Sequence, residues 1–188
     1  SAGSCGQAYS PVAGAQPYGA AELLPLVGGS GGGGGAGWFN FGGGGGGGGG
    51  GAILIAATGT VTIGSQGGVR ANGGRGASTA GYGQGSSGGG GSGGAIRIIA
   101  TTIAGSGQLT ATGGQGGTIA TSTGVANWSY GGTASPGRIR LEAQTYTRGG
   151  SNNPTTTPVT SVGAIYVPNA PTLRIVRVAG FGVPSQPT

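Results

Sequence analysis

The fold is decided by a five-residue stretch that occurs three times: GAILI at 51–55, GAIRI at 94–98 and GRIRL at 137–141. Both intervals are 43 residues long. A second block follows in the same order, VRANGGRG at 69–76 and LTATGGQG at 109–116. Two blocks that recur in one order indicate an internal repeat, with units starting near 51, 94 and 137.

Each unit begins with short runs of Ile, Val and Thr that alternate between two faces, as strands do. The predicted strands are 52–57, 60–63, 68–71, 95–100, 102–104, 108–112 and 138–147. No segment has the apolar period of a long helix, so the predicted class is all-β without significant helix. Stacking at a fixed period favours a small β-solenoid. A sandwich of hairpins would give strands of similar length.

Glycine-rich tracts precede the three strand blocks, at 28–51, 73–94 and 113–137. They are either long surface loops or extended helices of the polyproline-II type. Such helices have no internal hydrogen bonds, and glycine lets them approach closely and bond to one another. The pattern favours a polyglycine-II bundle packed against the solenoid.

The composition excludes most catalytic chemistry. The 188 residues include 53 Gly, one Cys, no His and two acidic residues, Glu22 and Glu142. Catalytic triads, paired carboxylates and metal clusters all lack their residue types. We therefore expect no enzyme, no cofactor, no metal site and no catalytic residue. Glu142 lies near Arg138 and Arg140, which predicts an ion pair.

The net charge of +6 comes from eight arginines that are spread singly or in pairs. Nucleic-acid-binding segments concentrate their basic residues, so no nucleic-acid partner is expected. No stretch is long and apolar enough to predict a membrane span.

The sequence predicts three regions: an N-terminal arm at 1–27, the glycine-rich β repeat domain at 28–148 and a Pro-rich C-terminal arm at 149–188. The last arm contains a strand pattern at 172–179, between prolines. This candidate donor strand could pair with its own sheet or with an open sheet edge of another subunit. Its apolar residues are the predicted subunit interface: Leu173, Ile175, Val176 and Val178.

The chain starts with Ser-Ala-Gly-Ser, which we interpret as a mature end after removal of a signal peptide. The expected location is extracellular or on the cell surface. Cys5 is then either a free thiol or a residue for an intermolecular disulfide. Asn127 lies in an Asn-Trp-Ser sequon and is a candidate for N-glycosylation.

Six stretches carry a family resemblance: LLPLVGGS at 23–30, GAILIAA at 51–57, ANGG at 71–74, GGAIRIIA at 93–100, GRIRLE at 137–142 and the end at 172–184. Together they resemble the glycine-rich exported, β-solenoid-like surface proteins of deltaproteobacteria such as myxobacteria and Geobacter relatives. The resemblance implies secretion and a surface or matrix role, and it implies no reaction. In composition alone, the tracts are similar to polyglycine phage adhesins and glycine-rich antifreeze proteins.

Taken together, the residues predict an extracellular structural protein that polymerises with itself, head to tail, into a surface filament by strand addition between subunits. The alternative is a glycine-rich adhesin or binding module, bacterial or from a phage, that recognises a surface receptor or glycan. Surface glycans or matrix are candidate further partners.

Overall fold

A computed structural model describes residues 19–37, 42–80, 85–120, 130–165, 168, 177–179 and 181–182. Within these residues every regular element is a strand, and this confirms the predicted all-β class. The sheets are small, and a closed solenoid turn is not seen among the described residues.

The described residues form eleven strands, in chain order: β1 Ala52–Ala56, β2 Thr60–Ile63, β3 Gly68–Arg70, β4 Thr79–Ala80, β5 Ala95–Gly105, β6 Gln108–Thr110, β7 Ile119–Ala120, β8 Arg138–Tyr146, β9 Asn152–Asn153, β10 Arg177–Val178 and β11 Phe181–Gly182. The two strands predicted at 95–104 form one continuous β5. On one side of β5, strand structure is interrupted at Ala57–Gly59, between β1 and β2. β5 itself continues past this interruption and therefore pairs with both strands.

The main sheet has the order β1-β5-β8, and all its neighbours are parallel. Its register places Ala52 beside Ala95 and Ala95 beside Arg138. The three copies of the repeated stretch are therefore hydrogen-bonded neighbours at an offset of 43 residues. β2 also pairs with β5, beyond the end of β1.

Three smaller sheets complete the strand pairing. β3-β6-β9 and β4-β7 are parallel, whereas β10 and β11 form an antiparallel pair. The pairing of β9 with β6 brings residues just after the predicted repeat domain into contact with that domain.

The apolar core lies on one face of the main sheet and extends to β3 and β6. Its fully buried side chains include Ile96, Ile98, Ile103, Leu109 and Leu141. Alternation sends Ile96 and Ile98 of β5 and Leu141 of β8 to the same face, as strand geometry requires.

The glycine-rich tracts form six extended segments: segment 1 (28–36), segment 2 (42–51), segment 3 (71–78), segment 4 (86–94), segment 5 (111–118) and segment 6 (131–137). Hydrogen bonds between them recur every third residue. Between segments 1 and 2, for example, Gly29 donates to Gly50, Gly32 to Gly47 and Gly35 to Gly44, each at 2.7 Å.

Segment 4 lies at the centre of this network. Its amides donate to carbonyls of segments 1, 3 and 6, and its carbonyls accept from amides of segments 2 and 5. The bonding pattern of segment 4 repeats every three residues, and each of the three positions forms hydrogen bonds with a different set of segments. Nearly all of its residues are buried, so the backbone groups of an almost side-chain-free stretch are satisfied by other backbone groups.

Candidate self-association edge

β1 is an edge strand of the main sheet. In the part of the chain that the structure describes, β1 pairs only with β5, and its other side has no strand partner. Ile53 and Ile55 of β1 are only half-buried, whereas their neighbours in β5, Ile96 and Ile98, are completely buried. The exposed parts of Ile53 and Ile55 are the apolar surface that a strand on the other side of β1 would cover. We call this side of β1 the open edge.

The opposite edge of the sheet is covered by the chain itself. The amide of Val159 donates to the carbonyl of Leu141 (2.9 Å), and the amide of Ala143 donates to the carbonyl of Val159 (3.0 Å). The hydroxyl of Thr156 also donates to the carbonyl of Ile139 at 2.8 Å. Residues 156–159 therefore cover β8, and the two ends of the row of strands differ.

A charged cluster lies on the face of the sheet away from the core. The carboxylate of Glu142 accepts from Arg97 Nε at 2.8 Å and from Arg140 Nε at 2.7 Å. Its second oxygen accepts from the amide of Gly163 at 2.6 Å. The predicted ion pair of Glu142 with Arg140 is confirmed, but Arg138 instead donates to the carbonyl of Gly19.

Opposing effects act on the ionisation of Glu142, whose side chain is fully buried. Burial raises the pKa of this carboxyl, while hydrogen bonds from Arg97, Gly163 and Arg140 lower it by more. The pKa of Glu142 therefore lies below its ordinary value. The cluster therefore pairs one buried carboxylate with two guanidinium groups, an ion-pair arrangement that stabilises the structure.

Arg148 is a second buried cation, and its partners are carbonyl oxygens. It donates to the carbonyls of Gly107, Gly150 and Ser151 and to the side chain of Asn152. These partners belong to the turn after β5 and to the turn after β8. Arg148 thus joins two successive turns at one corner of the fold. The sequence did not predict this role, because its partners are backbone carbonyls, which no side-chain pattern marks.

A cavity of about 150 Å³ lies where residues 19–30 pack beside the starts of β5 and β8. Leu23, Val27 and Ala95 give it apolar walls, and Arg138 is its charged residue. Since the guanidinium of Arg138 is engaged with Gly19, the cavity presents neither an acid nor a base.

A regular polar surface lies on segments 3 and 5. Every third residue there carries a polar side chain: Asn72, Arg75 and Ser78 on one segment, and Thr112, Gln115 and Thr118 on the other. The two rows contact each other, since Asn72 Oδ1 accepts from the amide of Thr112 (2.9 Å) and Ser78 lies 3.1 Å from Thr118 between hydroxyl oxygens. We call these six residues the polar array.

Most of the predicted interface and modification residues lie outside the described residues. These are Leu173, Ile175, Val176, Cys5 and Asn127. Val178 is described, and it pairs with Phe181 in the short β10–β11 pair. The strand predicted to reach residue 179 ends at Val178, because Ala179 lies in a turn with a φ of 49°.

The described residues offer neither a membrane-spanning helix nor a cluster of metal ligands. They contain no helix long and apolar enough to cross a membrane. They also contain no group of three or more His, Cys, Asp or Glu residues that could hold a metal ion. In the comparisons with known proteins, no family model, no curated protein and no solved structure matches the chain.

Proposed function

We propose that this chain is an extracellular structural protein, the subunit of a homopolymeric surface filament that assembles by strand addition between subunits. The single observation that carries the proposal is the asymmetry of the main sheet. Its β8 edge is covered by residues 156–159, whereas among the described residues its β1 edge has no strand partner. An open parallel edge pairs readily with another chain, and a repeated, non-closing contact of this kind produces a filament.

Within this proposal, the fold has two cooperating parts. The in-register neighbours β1, β5 and β8 represent three turns of a small β-solenoid with a 43-residue repeat. Segments 1 to 6 represent a polyglycine-II bundle, which the hydrogen bonds at every third residue support. Extracellular placement after signal-peptide removal rests on the resemblance to glycine-rich exported proteins.

Electron microscopy of the purified full-length chain at neutral pH tests this function. Long filaments of uniform width are the expected result, and discrete particles at every concentration would contradict it. Deleting residues 171–188, which contain the candidate donor strand, should leave monomers with an unchanged circular dichroism spectrum. The spectrum is the control that separates lost assembly from lost folding.

The polar array supports a second candidate function, an adhesin or binding module. Its hydroxyl, amide and guanidinium groups recur at every third residue on two adjacent segments, and all six residues are exposed or half-exposed. A surface with polar groups at this regular spacing offers hydrogen bonds to the hydroxyl groups of a glycan.

Glycan-array binding distinguishes this second candidate. A specific signal from a particle that remains monomeric, lost on replacement of Arg75 and Gln115 by Ala, would favour the adhesin. The matched control replaces Arg70, which lies on β3 outside the polar array, and should leave any such signal unchanged.

A further inference from the structure

We infer that residues 172–176 of a second copy of this chain occupy the open edge of β1, and this inference rests on the proposed function. In the sheet, that segment would lie parallel to β1, with Leu173 beside Ile53, Arg174 beside Leu54 and Ile175 beside Ile55. We call residues 172–176 the donor segment.

The sequence of the donor segment matches the strands that already pair in this sheet. Leu173-Arg174-Ile175 repeats the order of Ile96-Arg97-Ile98 in β5 and Ile139-Arg140-Leu141 in β8. In those two strands the outer two residues enter the apolar core and the central Arg lies on the opposite face. The donor segment thus has the side chains to extend the core by one row.

Burial along the sheet supports the placement of one more strand beside β1. Ile96 and Ile98, which have strands on both sides, are completely buried, whereas Ile53 and Ile55 of β1 are half-buried. Leucine and isoleucine on an added strand would cover them from the open side. On the other face Leu54 is 39% exposed, and the stem of Arg174 would lie against it.

The charges along the row also fit this arrangement. Arg97 and Arg140 are adjacent, and Glu142 lies between their guanidinium groups. The donor segment has no acid, but Leu54 would separate Arg174 from Arg97 by two strand spacings, about 9.6 Å. An uncharged residue at position 54 therefore lets a fourth strand carry an arginine without direct repulsion.

The placement of the donor segment on a second copy follows from the two ends of the row. Residues 156–159 already cover β8, so the donor segment cannot add there. If it paired with β1 of its own chain, both ends would be covered and no edge would remain for assembly. Pairing with the next copy leaves one open edge at the end of each growing filament.

Disulfide trapping in full-length protein tests the inference, in a Cys5→Ser background that removes the natural thiol. Leu54→Cys with Arg174→Cys should convert the monomer into a ladder of covalent oligomers on non-reducing gels, because paired strands fall within the Cα separation of a disulfide, about 4.4–6.8 Å. The matched control, Leu54→Cys with Ile175→Cys, places the thiols on opposite faces and should remain monomeric.

A second set of pairs tests the strand direction. Ala52→Cys with Thr172→Cys should give the ladder if the strands are parallel, and Ala52→Cys with Val176→Cys should not. Cross-linking of only the Val176 pair would overturn the parallel arrangement. Equal cross-linking of the Leu54–Arg174 and Leu54–Ile175 pairs would overturn the assigned face.

The remaining outcomes separate this inference from the filament function. A cross-linked species that stays monomeric in mass would show the donor segment on its own β1 and overturn the inference. Filaments without any cross-link would leave the function standing and overturn the assigned edge. Absence of both filaments and cross-links would overturn both.

A competition experiment provides an independent readout that needs no variant of the protein. A synthetic peptide of residues 170–179 should shorten filaments of the unmodified chain, because it occupies the open edge without offering a new one. A peptide of the same composition in which Leu173 and Arg174 are exchanged is the control. Equal inhibition by the two peptides would contradict the inference.

Discussion

At the scale of single residues, Glu142 decides whether the outer face of the main sheet is stable. Its carboxylate is completely buried and satisfies Arg97, which is also buried, together with Arg140 and the amide of Gly163. Removing this charge would leave a buried guanidinium without a partner, and an unpaired buried charge costs far more than an exposed one.

Glu142→Gln should therefore lower the free energy of unfolding by about 3–5 kcal/mol. Glu22→Gln is the matched control, because Glu22 is exposed, and its effect should stay within about 0.5 kcal/mol. Urea denaturation at pH 7 measures both changes. An equal, small effect of the two substitutions would show that the cluster contributes little to stability.

Stability should also fall in acid, because the pKa of Glu142 is lower in the folded chain than its ordinary value. Below about pH 4.3, the ordinary pKa of glutamate, the unfolded state binds a proton that the folded state resists. The contribution of Glu142 is thus complete above that pH and is lost as the pH falls through its folded pKa. Urea midpoints from pH 7 to pH 2 should show this loss in the parent chain and not in Glu142→Gln.

Arg148 should be intolerant of lysine, although lysine keeps the positive charge. The guanidinium of Arg148 bonds to carbonyls of two different turns, a spread of donors that a single ammonium cannot reproduce. Losing two or more of these hydrogen bonds should cost Arg148→Lys about 2–3 kcal/mol in unfolding free energy. Arg75→Lys, at an exposed site, is the control in the same denaturation assay; a similar cost there would contradict the assignment.

At the scale of elements, the packing of the glycine-rich segments has a three-residue period. Some positions in each period lie against a neighbouring segment and have no room for a Cβ, whereas others face open space. In segment 2, a Cβ at Gly47 would overlap the carbonyl of Gly74, and one at Gly46 would overlap the carbonyl of Gly32. A Cβ at Gly48 would meet open space. Because the obstacles are backbone atoms of other segments, the fold cannot yield locally to an added methyl group.

Gly47→Ala should therefore destabilise the chain by at least about 3 kcal/mol, whereas Gly48→Ala should change its stability by no more than about 1 kcal/mol. The two substitutions are identical in chemistry and adjacent in sequence, so each controls for the other. Thermal denaturation followed by circular dichroism measures the difference. Equal tolerance at both positions would refute the packing of segment 2 against segment 3.

At the scale of the whole molecule, the hydrogen bonds between segments should appear as a three-residue pattern of amide protection. Within segment 2, the amides of Gly44, Gly47 and Gly50 donate to segment 4 at 2.8–2.9 Å. The amides of Gly45 and Gly48 have no hydrogen-bond partner in the described residues.

Hydrogen exchange followed by NMR should show the amides of Gly44 and Gly47 exchanging at least about a thousandfold more slowly than those of Gly45 and Gly48. Segment 4 provides the internal reference, since it is buried among five other segments. Uniformly fast exchange across segment 2 would mean that the segments do not form a packed unit in solution.

Much of the strand arrangement could be predicted from local sequence. The β-branched runs and their alternation predicted six of the strands at or near their observed bounds, and the 43-residue interval matches the register of β1, β5 and β8. The short strands at Thr79–Ala80, Ile119–Ala120 and Asn152–Asn153 were not predicted. Each is two residues long and is defined by its hydrogen bonds to a strand far away in the sequence, so no local pattern predicts it.

The all-β class, the repeat and the lack of His and Asp can be read from the amino-acid sequence, because they depend on composition and on periods of two and 43 residues. Which edge of the main sheet is covered depends on tertiary contacts, since the hydrogen bonds between residues 156–159 and β8 join segments with no shared sequence pattern. The same holds for the partners of Glu142 and Arg148 and for the neighbours of each glycine. A glycine tract carries no side chains to specify its neighbours, so the surrounding fold has to place them.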